Sequence, residues 1–131
     1  MNSLEDLIKE AEQAAEKING IIVEEMEEKA TMCIGSVQAD TPVKTGSLKR
    51  SMTHSNIKRV PNGYSVTIGS SSSYCQAIEE GHRQNVGQYV PAIGKRLKKS
   101  FVPGKHMIRD NVQRYQPILE DSIKNRIIRE V

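Results

Sequence analysis

Apolar positions recur with a helical period at both ends of the chain and alternate in its middle. Leu4, Leu7, Ile8, Ala11, Ala15, Ile18, Ile22, Met26, Ala30, Cys33 and Val37 follow one another at steps of three and four, which puts them on one slowly drifting helix face. Ser3 is placed to cap this helix, with Asp6 three residues on and acids in the first turns, where the helix dipole favours them. Glu5/Lys9 and Glu25/Lys29 add the favourable i, i+4 charge order. A helix over 1–39, counted from Leu4, would be about 54 Å long at 1.5 Å per residue. A small domain cannot cover that length, so part of it should project or meet another subunit. Asn19-Gly20 is the weak point, since Gly costs about 1 kcal/mol relative to Ala, and is the expected place for a bend or a break.

Residues 40–47 read as a hinge. Pro42 lacks an amide hydrogen and steers Thr41 out of the helical region, and Gly46 accepts a positive φ closed to its neighbours. The segment 48–81 then reads as antiparallel strands. Leu48, Arg50, Met52 and His54 share parity until Ile57 breaks it, which predicts a strand over 47–59 with a late bulge. Pro61-Asn62-Gly63 predicts a tight turn, and Tyr64, Val66 and Ile68 form an alternating strand that pairs back on the first. After the polar Ser70–Ser73 loop, 74–78 fits a third strand or a short helical turn, of which we prefer the strand, closed by a turn over Glu79-Glu80-Gly81-His82.

Residues 82–103 form a basic loop or hairpin. They carry Arg83, Lys95, Arg96, Lys98 and Lys99, are punctuated by Gly87, Pro91, Gly94 and Pro103, and hold only short apolar pieces at Val86, Tyr89-Val90 and Phe101-Val102. Loops beyond about 15 residues are usually functional or disordered, and this one is a candidate docking loop. In 104–131 a helix begins near Lys105 with the stripe Ile108, Val112, Tyr115, Leu119, Ile123, Ile127 and Val131, and Pro117 is expected to kink or split it. The class expected is α+β: a long N-terminal helix and a C-terminal helix packed on a small antiparallel sheet of three to four strands.

Length and composition narrow this further. The 131 residues fit one domain. Only 37% are hydrophobic, with one Phe, four Tyr and no Trp, so the core is built of Ile, Val, Leu, Met and Ala and gains from partner subunits. No apolar run approaches the roughly 20 residues of a membrane span, and the polar, acidic N-terminus is unlike a signal peptide, which predicts a soluble protein made in the cytoplasm. Cys33 and Cys75, in no CxxC pattern, read as reduced, buried small hydrophobes. The net charge of +3 conceals a division. Residues 1–39 hold nine acids against three lysines, a net −6, and the remainder sixteen bases against seven acids, a net +9. Such asymmetry suits nucleic acid, or the pairing of one subunit's acidic helix with a neighbour's basic surface, which we favour.

Chemistry finds little purchase. His82 and His106 with Glu79 or Cys75 offer zinc-type ligands, but not in the His-Glu-x-x-His spacing that sets two ligands on one helix face, so no metal and no cofactor is expected. A Cys75/His82 pair lacks an orienting third group, and Ser70–Ser73 lacks a Gly-x-Ser-x-Gly context, so no enzyme is expected. The rival function is a small nucleic-acid-binding protein using the basic 95–99 loop, with Tyr89 and Phe101 to stack bases, although no recognised binding motif accompanies it.

Three motifs in combination carry a resemblance: Thr41-Pro42-x-x-Thr45-Gly46-x-Leu48-x-x-Ser51; Ile68-Gly69 followed by Tyr74 and Glu79-x-Gly81-His82; and Pro103-Gly104-x-His106-Met107. From about Ala30 to Ile128 the chain resembles the tail-component family of long-tailed bacteriophages and their defective prophages. Members are small virion proteins of the neck or tail end, described as tail-completion or head-tail joining proteins. The resemblance implies a structural role with no active site, located in the virion and in the bacterial cytoplasm during assembly. Its partners would be other tail and neck proteins and copies of itself in a ring, whose basic loops could touch DNA in the lumen without sequence preference. It also implies architectural roles: Thr41, Pro42, Thr45, Gly46, Leu48 and Ser51 at the hinge, Tyr74, Glu79, Gly81 and His82 at the third strand and its turn, and Pro103, Gly104 and His106 at the start of the last helix. Arg83, Tyr89, Lys95, Arg96, Lys98 and Lys99 would form the docking loop.

Overall fold

Ser3 opens helix α1 (Leu4–Asp40) through a complete capping box: its hydroxyl accepts from the Asp6 amide at 3.2 Å, and the Asp6 carboxylate accepts from the Ser3 amide at 3.2 Å. The structure, a computed structural model, describes residues 3–42, 46–83, 89–90, 95–96 and 101–131. α1 runs unbroken through Asn19-Gly20, so the break expected there does not occur. It ends where Pro42 requires: Thr41 is extended (φ −78°, ψ 131°), and its buried hydroxyl donates to the Val37 carbonyl at 2.6 Å, satisfying an orphan acceptor of the last turn.

Gly46 turns the chain in the left-handed region (φ 79°) and starts a single helical turn, α2 (Ser47–Arg50). The strand predicted from Leu48 is therefore a helix first. The pattern is ambiguous for a physical reason: Leu48 and Met52 stand at i and i+4, a spacing shared by one face of a strand and one face of a helix, and both side chains are buried while Arg50 is exposed. Ser51 stops the turn by donating its hydroxyl to the Leu48 carbonyl at 2.6 Å, and it also bonds the Ser70 hydroxyl.

β1 (Met52–His54), β2 (Lys58–Val60), β3 (Gly63–Ser65) and β4 (Ile68–Ser70) form one long antiparallel hairpin in two ladders, β1 with β4 and β2 with β3. Between them Ser55 bonds Thr67 in both directions, its amide to the carbonyl at 2.8 Å and its hydroxyl from the amide at 3.0 Å. The predicted bulge thus becomes an interruption of the ladder, and Pro61-Asn62-Gly63 turns the hairpin's tip.

Helix α3 (Cys75–Glu80) replaces the third strand preferred for 74–78. Six residues are too few for periodicity to decide. The helix wins because it turns Cys75 and Ile78 inward on one side, while Gln76 and Glu80 meet outside it at 3.2 Å. β5 (Gly81–Arg83) pairs with β8 (Phe101–Pro103), and β6 (Tyr89–Val90) with β7 (Lys95–Arg96), so the described strands of the basic excursion pair in the nested order of a hairpin. The described strands therefore make four two-stranded ladders and not one sheet of three to four. Helix α4 (Met107–Glu130) begins later than 104 and contains Pro117 without splitting. The carbonyl that Pro117 leaves unpaired belongs to exposed Gln113, where water can satisfy it.

α1 and α4 lie antiparallel. Asn111 donates to Asp40 at 2.8 Å, Ser36 and Tyr115 share a hydroxyl bond of 2.8 Å, and Arg126 meets Glu24 at 3.0 Å and Glu25 at 3.3 Å. The core lies at one end of this pair, where Cys33, Val37, Leu48, Met52, Cys75 and Met107 bring five elements together. A second buried set, Ile21, Met26 and Ala30, continues along α1. The result is α+β, with the helix pair as its long axis.

Two outcomes follow from this packing. Gly46→Val forces a β-branched residue into the left-handed region and should cost roughly 1 kcal/mol or more in chemical denaturation. Hydrogen bonding to Arg126 holds the Glu130 carboxyl below its ordinary value. The stabilisation from that pair is therefore full above the ordinary glutamate range and fades as pH falls through the lowered value. The stability difference between the wild type and Arg126→Gln should be largest at neutral pH and shrink on acidification.

Candidate functional site

Two of the sequence motifs meet in space although about thirty residues separate them. The carboxylate of Glu79, in the last turn of α3, reaches the N-terminus of α4: Oε2 accepts from the Ile108 amide at 2.9 Å and Oε1 from the Arg109 amide at 2.9 Å. Two of the orphan donors of α4 are satisfied in this way by a charge that its dipole also favours. His106, the residue before α4, stands in the left-handed region (φ 50°) and supplies no side-chain cap of its own. The backbone joins the contact too, with the Lys105 amide on the Ile78 carbonyl at 2.8 Å and the His106 amide on the Glu79 carbonyl at 3.1 Å. Gly104 makes so close an approach possible, because a Cβ there would lie 2.2 Å from the Glu79 carbonyl oxygen. Gly81 and Pro103 face each other at the base of the β5–β8 ladder.

The hinge residues converge on the same core from the other side. Leu48 and Thr41 are buried, the Ser47 and Tyr74 hydroxyls bond each other, and Pro42 is exposed. Thr45, Lys98 and Lys99 lie outside the described residues, and Tyr89, Lys95 and Arg96 are described as backbone alone. Arg83 is exposed on β5, and the ring of its neighbour His82 has a buried Nδ1 without a hydrogen-bond partner among the described residues.

Asn111 was not legible in the sequence. It is 1% exposed, donates to Asp40 and, at 2.6 Å, to the Met107 carbonyl, and accepts from Arg114, so it ties α4 to the end of α1. An Asn on the rim of an apolar helix stripe gives no sequence signal for this.

Burial raises the thiol pKa of both Cys33 and Cys75, which keeps them protonated and poor nucleophiles at neutral pH. Among the described residues, no three His, Cys, Asp or Glu side chains gather as metal ligands would, and no helix is long and apolar enough to cross a membrane.

What the described surface offers is contact. An open groove of about 490 Å³ runs between α1, α4 and the β3–β4 arm, lined by Met26, Ala30, Val66, Ile68, Val112 and Leu119 among others. The first turns of α1 are bare: Leu4 is 73% exposed, Leu7 51% and Ile8 50%. α4 ends alongside Lys17, whose ammonium donates to the Glu130 carbonyl at 2.5 Å, so α4 covers α1 no further toward its N-terminus.

Compared with known protein families, residues 1–81 match the family described as Bacteriophage HK97-gp10, putative tail-component. The match spans α1 to α3, including the hinge and Glu79, and stops at the base of the basic hairpin. No curated protein and no solved structure matches the chain.

Glu79→Ala should remove both caps and cost about 1–3 kcal/mol, with hydrogen exchange at the Ile108 and Arg109 amides accelerated more than at Val66. Gly104→Ala should destabilise by a similar amount, since its methyl group meets backbone that cannot swing aside. Thermal melts that coincide with the wild type would contradict both.

Proposed function

The chain belongs to the bacteriophage HK97-gp10 tail-component family, and on that premise we propose that it is a structural protein of the virion's neck or tail end, completing the tail or joining it to the head. It works by assembly and not by catalysis. The observation that carries this reading is the uncovered apolar start of α1: a rigid helix extends past the body that packs against it and presents Leu4, Leu7 and Ile8 to solvent. Exposed apolar stripes of this kind mark surfaces that await a partner. The charges nearest the helix pair are meanwhile used within the subunit, Arg126 by Glu24, Glu25 and Glu130, and Lys29 by Glu25 and Glu28.

On this reading the partners are other tail and neck proteins and further copies of the chain, which in a closed arrangement form a ring around the path of the genome. The hinge and the Glu79 junction are architectural: they hold α1 and the arms in the orientation that the assembly needs. The basic hairpin is a second docking element beside the start of α1.

Negative-stain imaging of particles labelled with an antibody to this protein should place label at one end of the tail. Lysates lacking the protein should accumulate heads and tails that fail to join. Unlabelled particles, together with salt-sensitive binding of duplex DNA by the purified protein, would favour the nucleic-acid role instead.

A further inference from the structure

We infer that the bare N-terminal segment of α1 in one copy docks into the α1/α4/β3–β4 groove of the next copy, a head-to-tail contact that deepens the assembly role above and rests on it. The segment and the groove match in chemistry. From Leu4 to Glu16 the segment carries Leu4, Leu7, Ile8, Ala11 and Ala15 at steps of three and four, and its other positions include five acids against Lys9, a net −4. The same helix face is covered by α4 only from Lys17 onward. The groove offers the complementary surface: apolar side chains from α1, α4 and the arm, with Lys29 as its one charged lining residue among the described residues. On the adjoining strand β2, Lys58 and Arg59 are exposed and make no ion pair among the described residues. Arg59 stands directly across from Tyr64, a groove residue, and cross-strand partners share a face, so its charge lies beside the groove mouth.

Geometry excludes the same chain as the occupant. α1 is one continuous helix, and from Ile8 to the groove residue Ala30 it measures about 33 Å at 1.5 Å per residue, so its start cannot fold back onto the groove. Charge excludes the simplest symmetric alternative. Two segments packed on each other would bring −4 against −4, whereas segment in groove sets −4 beside Lys58 and Arg59. An amphipathic helix in an apolar groove, used with a different surface on each side, is a heterologous contact that propagates from copy to copy.

Complementation by sedimentation velocity at high protein concentration and low salt tests this with the full chain. The segment variant is Leu7→Asp with Ile8→Asp; the groove variant is Val112→Asp with Arg59→Glu. All four positions are exposed, and circular dichroism checks that both fold. The wild type should associate, and each variant alone should associate about tenfold more weakly or less. An equimolar mixture should form a 1:1 dimer that does not grow, because each variant keeps one intact surface. If either double variant loses helix, Ile8→Ser and Val112→Ser replace it in the same mixing test. A wild type that stays monomeric, a groove variant that associates as well as the wild type, or a mixture that forms no dimer overturns the inference. Particle labelling is independent of this contact: label at the tail end with no complementation removes the docking mode alone, and complementation without label removes the virion role.

Discussion

The Glu79 carboxylate at the head of α4 is the interaction on which the arrangement of the other elements depends. α3 has six residues, too few to be stable by itself, and α4 lacks a side-chain cap of its own. Each supplies what the other needs, an anion on one side and unpaired amide donors on the other. The Lys105 and His106 amides and the missing Cβ of Gly104 then draw the two backbones together. With α4 fixed at this end, Met107 is seated in the core, where it meets Val37 from α1 and Leu48 from the hinge. Moving that carboxylate would disturb every element that converges there.

The opposite end of the helix pair is held by different physics. Near the core the contacts are apolar or hydrogen bonds made through neutral side chains, Ser36 with Tyr115 and Asn111 with Asp40, while toward the C-terminus of α4 they become ion pairs, with Arg126 set among Glu24, Glu25 and Glu130. The acidic character of α1 is therefore partly structural, since two of its carboxylates hold α4 in register. Glu25 is buried to 6% exposure and pairs with both Lys29 and Arg126, an arrangement in which removing either base leaves a charge with less compensation.

The ends of the chain were legible in the sequence because long, regular apolar periods leave one interpretation. Ser3, Pro42 and the Pro61-Asn62-Gly63 turn act within a few residues of themselves, and they appear in the structure where local chemistry places them. The middle was less legible. Leu48 and Met52 satisfy a strand and a helix equally, and Tyr74 to Ile78 is too short to show a period, so burial against α1 and the core made both choices. The Glu79 cap was out of reach in kind: Glu79 and Gly81 and the later Pro103 and Gly104 could be read as two separate motifs, but a bond between residues 29 positions apart leaves no trace in spacing. The same holds for Asn111 and Asp40.

The base of the basic hairpin has a consequence for how such a chain can diversify. Gly81 and Pro103 stand side by side, and the structural junction of Glu79 with Gly104 to Arg109 lies just behind them, so the intervening twenty-one residues enter and leave the body at one point. Doubling the length of a loop closed in this way costs only about 0.6 kcal/mol of chain entropy. The hairpin can therefore be lengthened, shortened or rewritten with little effect on the frame. Natural variation could retune what a copy binds at that arm while the helix pair and its cap stay as they are.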